Sequence, residues 1–194
     1  MQQFNTLDGI QVDEAHVALI NGIVKSQKPQ RILELGLGSG TTTDAILEAL
    51  QFNQQPFEFT LVDLWLERAW GGDPDTMRSG TCPPEAVEKY SQYINIVTSD
   101  EREYVFNCGK TFDFIMSDAD HHNTQKWFEY VYAEVLEAGG TLIYHDVTDR
   151  SFTNLREIYE KCKLFNLRFT LFNKNSRSDE RCDRGLLVIY KPEE

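Results

Sequence analysis

The chain has 194 residues, long enough for one domain with a substantial core and too short for two ordinary ones. Its formal net charge of -12 repels phosphate backbones, and with no Lys/Arg cluster to offset it, this argues against nucleic acid as a partner. No run approaches the roughly 18 apolar residues of a membrane span, and the start, Met1-Gln2-Gln3-Phe4-Asn5-Thr6, has neither a basic nor an apolar leader region, so the expectation is a soluble cytoplasmic domain.

Val12, Ala15, Leu19, Ile20, Ile23 and Val24 recur at helical spacing and predict an amphipathic helix over about 12–26, which Pro29 ends. Arg31 to Leu35 reads as a short buried strand running into Gly36, Gly38 and Gly40. A helix opens at Thr41 with Asp44 three residues on as a capping-box-like acid, and it buries Ile46, Leu47 and Leu50. Strands follow at Phe57 to Leu64, Ile94 to Thr98, Phe112 to Ser117 and Thr141 to His145, separated by helical segments. Before the last of these, Thr124 is expected to cap a helix burying Trp127, Phe128, Val131, Val135 and Leu136, with Gly139-Gly140 as its C-cap.

Beyond Asp146 the pattern changes. A helix around Phe152, Leu155, Ile158, Tyr159 and Cys162 leads to a strand from Leu167 to Phe172, a polar stretch, and a strand from Arg184 to Tyr190. Two strands joined without a helix can pair as a hairpin. The expected fold is therefore α/β: a Rossmann-like, doubly wound, mostly parallel seven-stranded sheet with a C-terminal antiparallel hairpin, in a single domain over 1–194. The breaker-rich stretch from Ala69 to Pro84 is unusually long for a connection, and a lid over the site and a plain surface insertion are both open. Cys82, Cys108, Cys162 and Cys182 form no C-x-x-C pair and read as free thiols.

The segment from Arg31 to Gly40, R-I-L-E-L-G-L-G-S-G, carries the strongest functional signal. Gly36 can take a backbone shape closed to other residues, while Gly38 and Gly40, flanking Ser39, let a ligand approach the main chain. A dinucleotide-binding turn reads G-x-G-x-x-G, but here the spacing is G-x-G-x-G and the third dinucleotide position falls on Thr41. Glu34, two residues before the first glycine, suits the ammonium of an amino acid better than a pyrophosphate. This segment resembles motif I of the class I S-adenosylmethionine-dependent methyltransferases.

In open α/β sheets ligands sit at the carboxyl ends of the strands. Those ends carry Glu34, Asp63, Asp100, Asp118 and the pair His145-Asp146. Acids on one rim repel one another unless a cationic ligand or a metal sits among them. Asp63 can accept both ribose hydroxyls of an adenosine, and Trp65 either packs on the adenine ring or belongs to the core. Asp100 either accepts the adenine amino group or caps the helix beginning at Glu101, and can do both.

The run F-D-F-I-M-S-D-A-D-H-H from Phe112 to His122, paired with G-G-T-L-I-Y-H-D from Gly139 to Asp146, resembles the metal-assisted O-methyltransferases: the catechol and caffeoyl-coenzyme-A types and the antibiotic-sugar branch. The resemblance implies that Asp118, His145 and Asp146 hold a divalent ion such as Mg²⁺ or Mn²⁺, with Asp118 also facing the cofactor, and that His121 receives the acceptor's proton. His122 competes with His121 for that role, and an unperturbed imidazole titrates near neutral pH, as the role requires. His145 stands where these families place an acid. Imidazole is a poor ligand for hard Mg²⁺, so a softer ion fits better, or no ion at all with His145 as a base or orienting group. The resulting expectation is S-adenosylmethionine-dependent methylation of a small-molecule hydroxyl. A non-catalytic S-adenosylmethionine-binding module, a nicotinamide-dependent oxidoreductase and an aminopropyl transferase are the alternatives.

Overall fold

The computed structural model describes residues 14–65, 84–149, 152–173 and 184–193. The lid expectation at Ala69 to Pro84 lies outside them except at its end, as do the start of the expected first helix at Val12 and two of the four cysteines. Helix α1 spans Glu14–Gln27 and β1 Arg31–Leu35; α2 covers Thr41–Asn53, β2 Glu58–Asp63, α3 Pro84–Tyr90, β3 Asn95–Thr98 and α4 Glu101–Asn107. Next come β4 at Phe112–Ser117, a 3-10 turn at Thr124–Lys126, a helix α5 at Phe128–Tyr130 that widens into a π turn at Val131–Val135, and β5 at Leu136–Tyr144. Helix α6 at Arg156–Leu164 and the strands β6 at Arg168–Phe172 and β7 at Leu186–Tyr190 complete the order.

The seven strands form one sheet in the order β3-β2-β1-β4-β5-β7-β6. All pairs from β3 through β5 are parallel; β7 inserts antiparallel between β5 and β6, which gives the expected hairpin. Successive β1 side chains alternate faces. Ile32 packs with Ile20 and Val24 of α1, Ile46 and Leu50 of α2 and Tyr90 of α3, whereas Leu33 packs with Val105 of α4, Phe128, Val131 and Ile158 of α6. Both faces are thus covered by helices, and the chain reverses its strand order between β1 and β4, the crevice where such sheets bind ligands.

Three local expectations are corrected. Asp44 does not cap α2, whose N-cap is Gly40 with no side-chain bond; its carboxylate instead accepts from Tyr90 Oη (2.8 Å) and Lys89 Nζ (2.7 Å), tying α3 to the start of α2. Thr124 does not cap a regular helix, because the segment is split into 3-10, α and π turns. Gly139-Gly140 is not a C-cap but lies inside β5, where the register with β4 shifts between Phe112 and Phe114. Gly139 has φ +78, and a Cβ on Gly140 would lie 2.9 Å from the Glu137 carbonyl oxygen and 3.0 Å from that of Asp113. The bulge, not a helix end, demands the glycine pair. The carbonyls of Tyr132 and Ala133 in the π turn and of Leu136 at the start of β5 accept from Lys191 Nζ at 2.7–2.9 Å.

Candidate active site

The site is assembled from the carboxyl ends of β1, β2, β4 and β5. On the β1 side, Gly36 has φ +92, and a Cβ there would lie 2.5 Å from the carbonyl oxygen of Asp118. The first glycine is therefore required by the close approach of the β4 end, and this contact joins the glycine turn to the acidic cluster. A Cβ on Gly38 would meet nothing within 4 Å, so the space above the turn is open to a ligand. Gly40 is the N-cap of α2, and Ser39 Oγ lies 2.8 Å from Thr41 Oγ1.

Glu34 is fully buried at the base of this turn. Thr43 Oγ1 of α2 donates to its Oε2 at 2.8 Å, while the buried Oε1 has no hydrogen-bond partner. Burial, then the nearby acids Asp118, Asp44 and Asp63, hold its carboxyl well above the usual range against the pull of Thr43. Asp63 accepts from Leu37 N (2.7 Å) and Trp65 N (2.6 Å), which leaves each oxygen a further lone pair; burial outweighs those two bonds and raises its pKa. Trp65 is placed in the apolar core with φ +52, so its visible part in the site is the backbone bond to Asp63. Asp100 caps α4, accepting from Arg102 N (2.9 Å) and Glu103 N (3.1 Å), and it also lines a cavity of about 610 Å³ with Asp120, Asn123 and Trp127. Both roles considered for it remain compatible.

The β4–β5 side is a cluster of opposite charges. His121 Nε2 lies 3.0 Å from Asp118 Oδ1 and 3.3 Å from Asp146 Oδ2. His145 Nδ1 lies 3.5 Å from Asp118 Oδ1 and 3.1 Å from Asp146 Oδ1. Burial alone would push both imidazoles down, but the two carboxylates carry each up to about 10; in return, the imidazoles hold Asp118 and Asp146 below the usual carboxylate range against their own burial. His121 is therefore held above the ordinary imidazole value by its two carboxylate neighbours. His122, by contrast, is exposed, with its backbone N–H donating to Asp120 Oδ1. Asp146 sits at φ +59, a conformation that an aspartate tolerates better than most residues.

The donor set fits a divalent cation. Asp118, His145 and Asp146 each offer one ligand atom, all within 4.8 Å of one another. Ligands at right angles on an ion with bonds of about 2.1 Å lie about 3 Å apart, close to the 3.5 and 3.1 Å that separate His145 Nδ1 from Asp118 and Asp146. His145 Nδ1 and Asp146 Oδ1 are both buried, and although they face each other, neither makes an aligned hydrogen bond.

Sequence reading missed four residues. His16 on α1 is buried, with Nδ1 3.1 Å from His145 Nε2; the available signal was a histidine on the apolar stripe of Ile20 and Val24, whereas Ala15, expected inside, is exposed. Glu101 accepts from Asp120 N at 3.1 Å and so anchors the turn carrying His121; Arg184 Nε lies 3.7 Å from Asp146 Oδ1; and Phe152 packs on the His121 ring with centroids 4.4 Å apart. These depend on long-range packing that no local pattern encodes.

Solved structures share this architecture. The O-methyltransferase from Bacillus cereus in complex with SAH aligns over 95% of this chain and 84% of its own, with TM-score 0.70 and 16% identity. The SAH-bound methyltransferase from Podospora anserina aligns over 93% and 80%, with TM-score 0.66 and 15% identity. The O-methyltransferase TomG from Streptomyces achromogenes, in complex with SAM, aligns over 95% and 83%, with TM-score 0.68 and 13% identity. No curated protein matches the chain. At these identities the solved structures speak to the fold, but residues 33–147, more than half of the chain and containing the carboxyl ends of β1 to β5, match a family of methyltransferase domains. The chain belongs to the methyltransferase domain family.

Proposed function

We propose that the protein is an S-adenosylmethionine-dependent O-methyltransferase acting on a hydroxyl of a small molecule with the help of a divalent ion. One observation carries the reading: the glycine turn and the acid–histidine cluster abut at the reversal point of the sheet, with the Gly36 backbone packed against the Asp118 carbonyl. A methyl donor and an activated hydroxyl would therefore lie side by side. When bound, the cofactor supplies a sulfonium-activated methyl group, and the ion supplies a Lewis acid that lowers the hydroxyl's pKa.

Each half offers residues for its ligand. Glu34, with one buried oxygen unpartnered and its pKa raised among acids, gains most from an ammonium group. Asp63 retains acceptor capacity for ribose hydroxyls and Asp100 lines a cavity able to take a heterocycle. Asp118, His145 and Asp146 would hold the ion, and the nitrogen ligand favours Mn²⁺ over Mg²⁺. His121 would take the acceptor's proton at Nε2. The facing carboxylates of Asp118 and Asp146 favour its protonated form, and an ion held by those two acids would weaken that pull and free it to act as a base. This makes the base dependent on the ion.

No helix among the described residues is long and apolar enough to cross a membrane. Cys108 and Cys162 are free thiols, which suits a reducing cytoplasm. Calorimetry tests the assignment. S-adenosylhomocysteine should bind in the micromolar range, on the order of -8 kcal/mol, and Gly38→Val should abolish that binding by filling the open space. Binding of NADH with no response to S-adenosylhomocysteine would replace the reading with an oxidoreductase.

A further inference from the structure

The buried contact between His16 and His145 has no part in the chemistry described so far. His16 comes from the first turns of α1, and 129 positions separate the two residues. Both rings are enclosed, at 1% and 2% exposure, and they meet edge to face, with centroids 5.3 Å apart and planes at 82°. That arrangement aims the edge of one ring at the other. The contact is between His16 Nδ1 and His145 Nε2, and the opposite nitrogen of His145 faces Asp118 and Asp146.

A histidine has two nitrogens with distinct duties, and the bond made by one decides what the other can do. If Nδ1 of His145 is to serve as a ligand it must present a lone pair, so the ring proton must sit on Nε2. A group that accepts from Nε2–H secures that tautomer and fixes the ring plane, and Nδ1 of His16 is in place to do so.

We propose that His16 is a positioning residue that holds His145 in the Nε2–H form, with Nδ1 turned to the carboxylates, and thereby commits the cluster to a nitrogen-accepting divalent transition ion over Mg²⁺. The proposal rests on the divalent-ion reading given above. His16 itself touches neither the ion nor the substrate. Its effect passes through His145, as the outer partners of histidine ligands act generally. Ligand softness supplies the selectivity: Asp118 and Asp146 serve either class of ion, while an oriented imidazole adds affinity only for the transition metal.

Purified protein, freed of metal with chelator, can be titrated with Mn²⁺ and separately with Mg²⁺ by calorimetry. The wild type should bind Mn²⁺ at least ~10-fold more tightly than Mg²⁺. His16→Leu should weaken Mn²⁺ binding about 10- to 100-fold with little change for Mg²⁺. His16→Asn, whose amide oxygen can stand where Nδ1 stands, should recover most of the Mn²⁺ affinity. A Leu variant that folds and binds both ions as the wild type does overturns the role of His16 while leaving the ion reading intact. A wild type that binds neither ion overturns both. Because the Leu variant can fail to fold, the wild type also carries a direct readout: long-range proton–nitrogen correlation NMR of the Zn²⁺-loaded protein should show His145 protonated at Nε2 and metal-shifted at Nδ1. A proton at Nδ1 of His145 in that sample overturns the proposal.

Discussion

At the ends of β1 and β2, Glu34 and Asp63 are pushed by burial toward their neutral forms, whereas at the ends of β4 and β5, Asp118 and Asp146 are held ionised. Desolvation is the largest influence on all four carboxyl groups and acts in the same direction on each. What differs is the company. Glu34 meets a hydroxyl and Asp63 meets backbone N–H groups, while Asp118 and Asp146 face two imidazoles within 3.5 Å. One half of the site therefore holds acids without a facing cation, and the other sets its acids against imidazoles of its own. Burial by itself does not tell what an acid is for. The charges that face it do.

Gly36→Ala should have the largest effect, because it strikes the seam between the halves. The added Cβ lies 2.5 Å from the Asp118 carbonyl oxygen on a backbone at φ +92. A loss of about 3 kcal/mol is expected in urea unfolding from the combined strain and overpacking. S-adenosylhomocysteine and Mn²⁺ binding should fall together, and loss of only one would show that the halves are mechanically independent.

Chelation and Asp118→Asn separate the halves. Removing divalent ions should abolish methyl transfer while leaving S-adenosylhomocysteine binding in place, and added Mn²⁺ should restore turnover. Asp118→Asn should raise the Mn²⁺ concentration needed by ~10-fold or more, since one carboxylate of the ligand set is lost. Full turnover after chelation would leave a metal-free mechanism in which the acids hold only cofactor and acceptor.

His121→Ala sharpens the comparison within the charged half. Turnover should drop about 10²-fold, or about 2.7 kcal/mol, with cofactor affinity nearly unchanged. His122→Ala, at an exposed position, should change turnover by only a few fold. Equal effects would remove the distinction between the neighbours.

An effect on stability alone is expected at Glu101, whose burial lifts its carboxyl to about 7 against the bond from Asp120 N. Between the unfolded value near 4.5 and about 7 the folded chain keeps a proton that the unfolded chain has released. The stability from this neutral acid is therefore complete below the lower value and lost as pH rises through the upper one. Denaturant melts across that window should show a decline on the order of 3 kcal/mol attributable to this group. Glu101→Gln should flatten that share of the slope and leave the rest, to which buried Glu34 contributes in the same direction.

Strands β1 to β4 stand within a residue or so of their sequence-based positions, and β1, β2 and β4 do so because a strand buried on both faces leaves a short apolar run bounded by turn residues as its local mark. The glycine turn was legible for the same reason: its requirement is on the backbone, and glycine is nearly the only residue that meets it. Gly139-Gly140 shows the limit of that logic. A glycine pair after a helical pattern reads as a C-cap, yet the pair sits in a bulge of β5, and the helix end is closed by Lys191 from far along the chain.

By itself, the sequence determined the strand ends, and with them the line of acids on one rim, because strand periodicity and the parallel connection rule fix which residues end on the same side of the sheet. Only the tertiary structure decided how those acids ionise and who attends them. His16 reaches His145 across 129 positions, Arg184 approaches Asp146 from the hairpin, and the Gly36 backbone packs on Asp118 because β4 inserts beside β1. A carboxyl group's charge state depends on the distances to its neighbours and on how much water they exclude, and neither exists until the chain has closed around it.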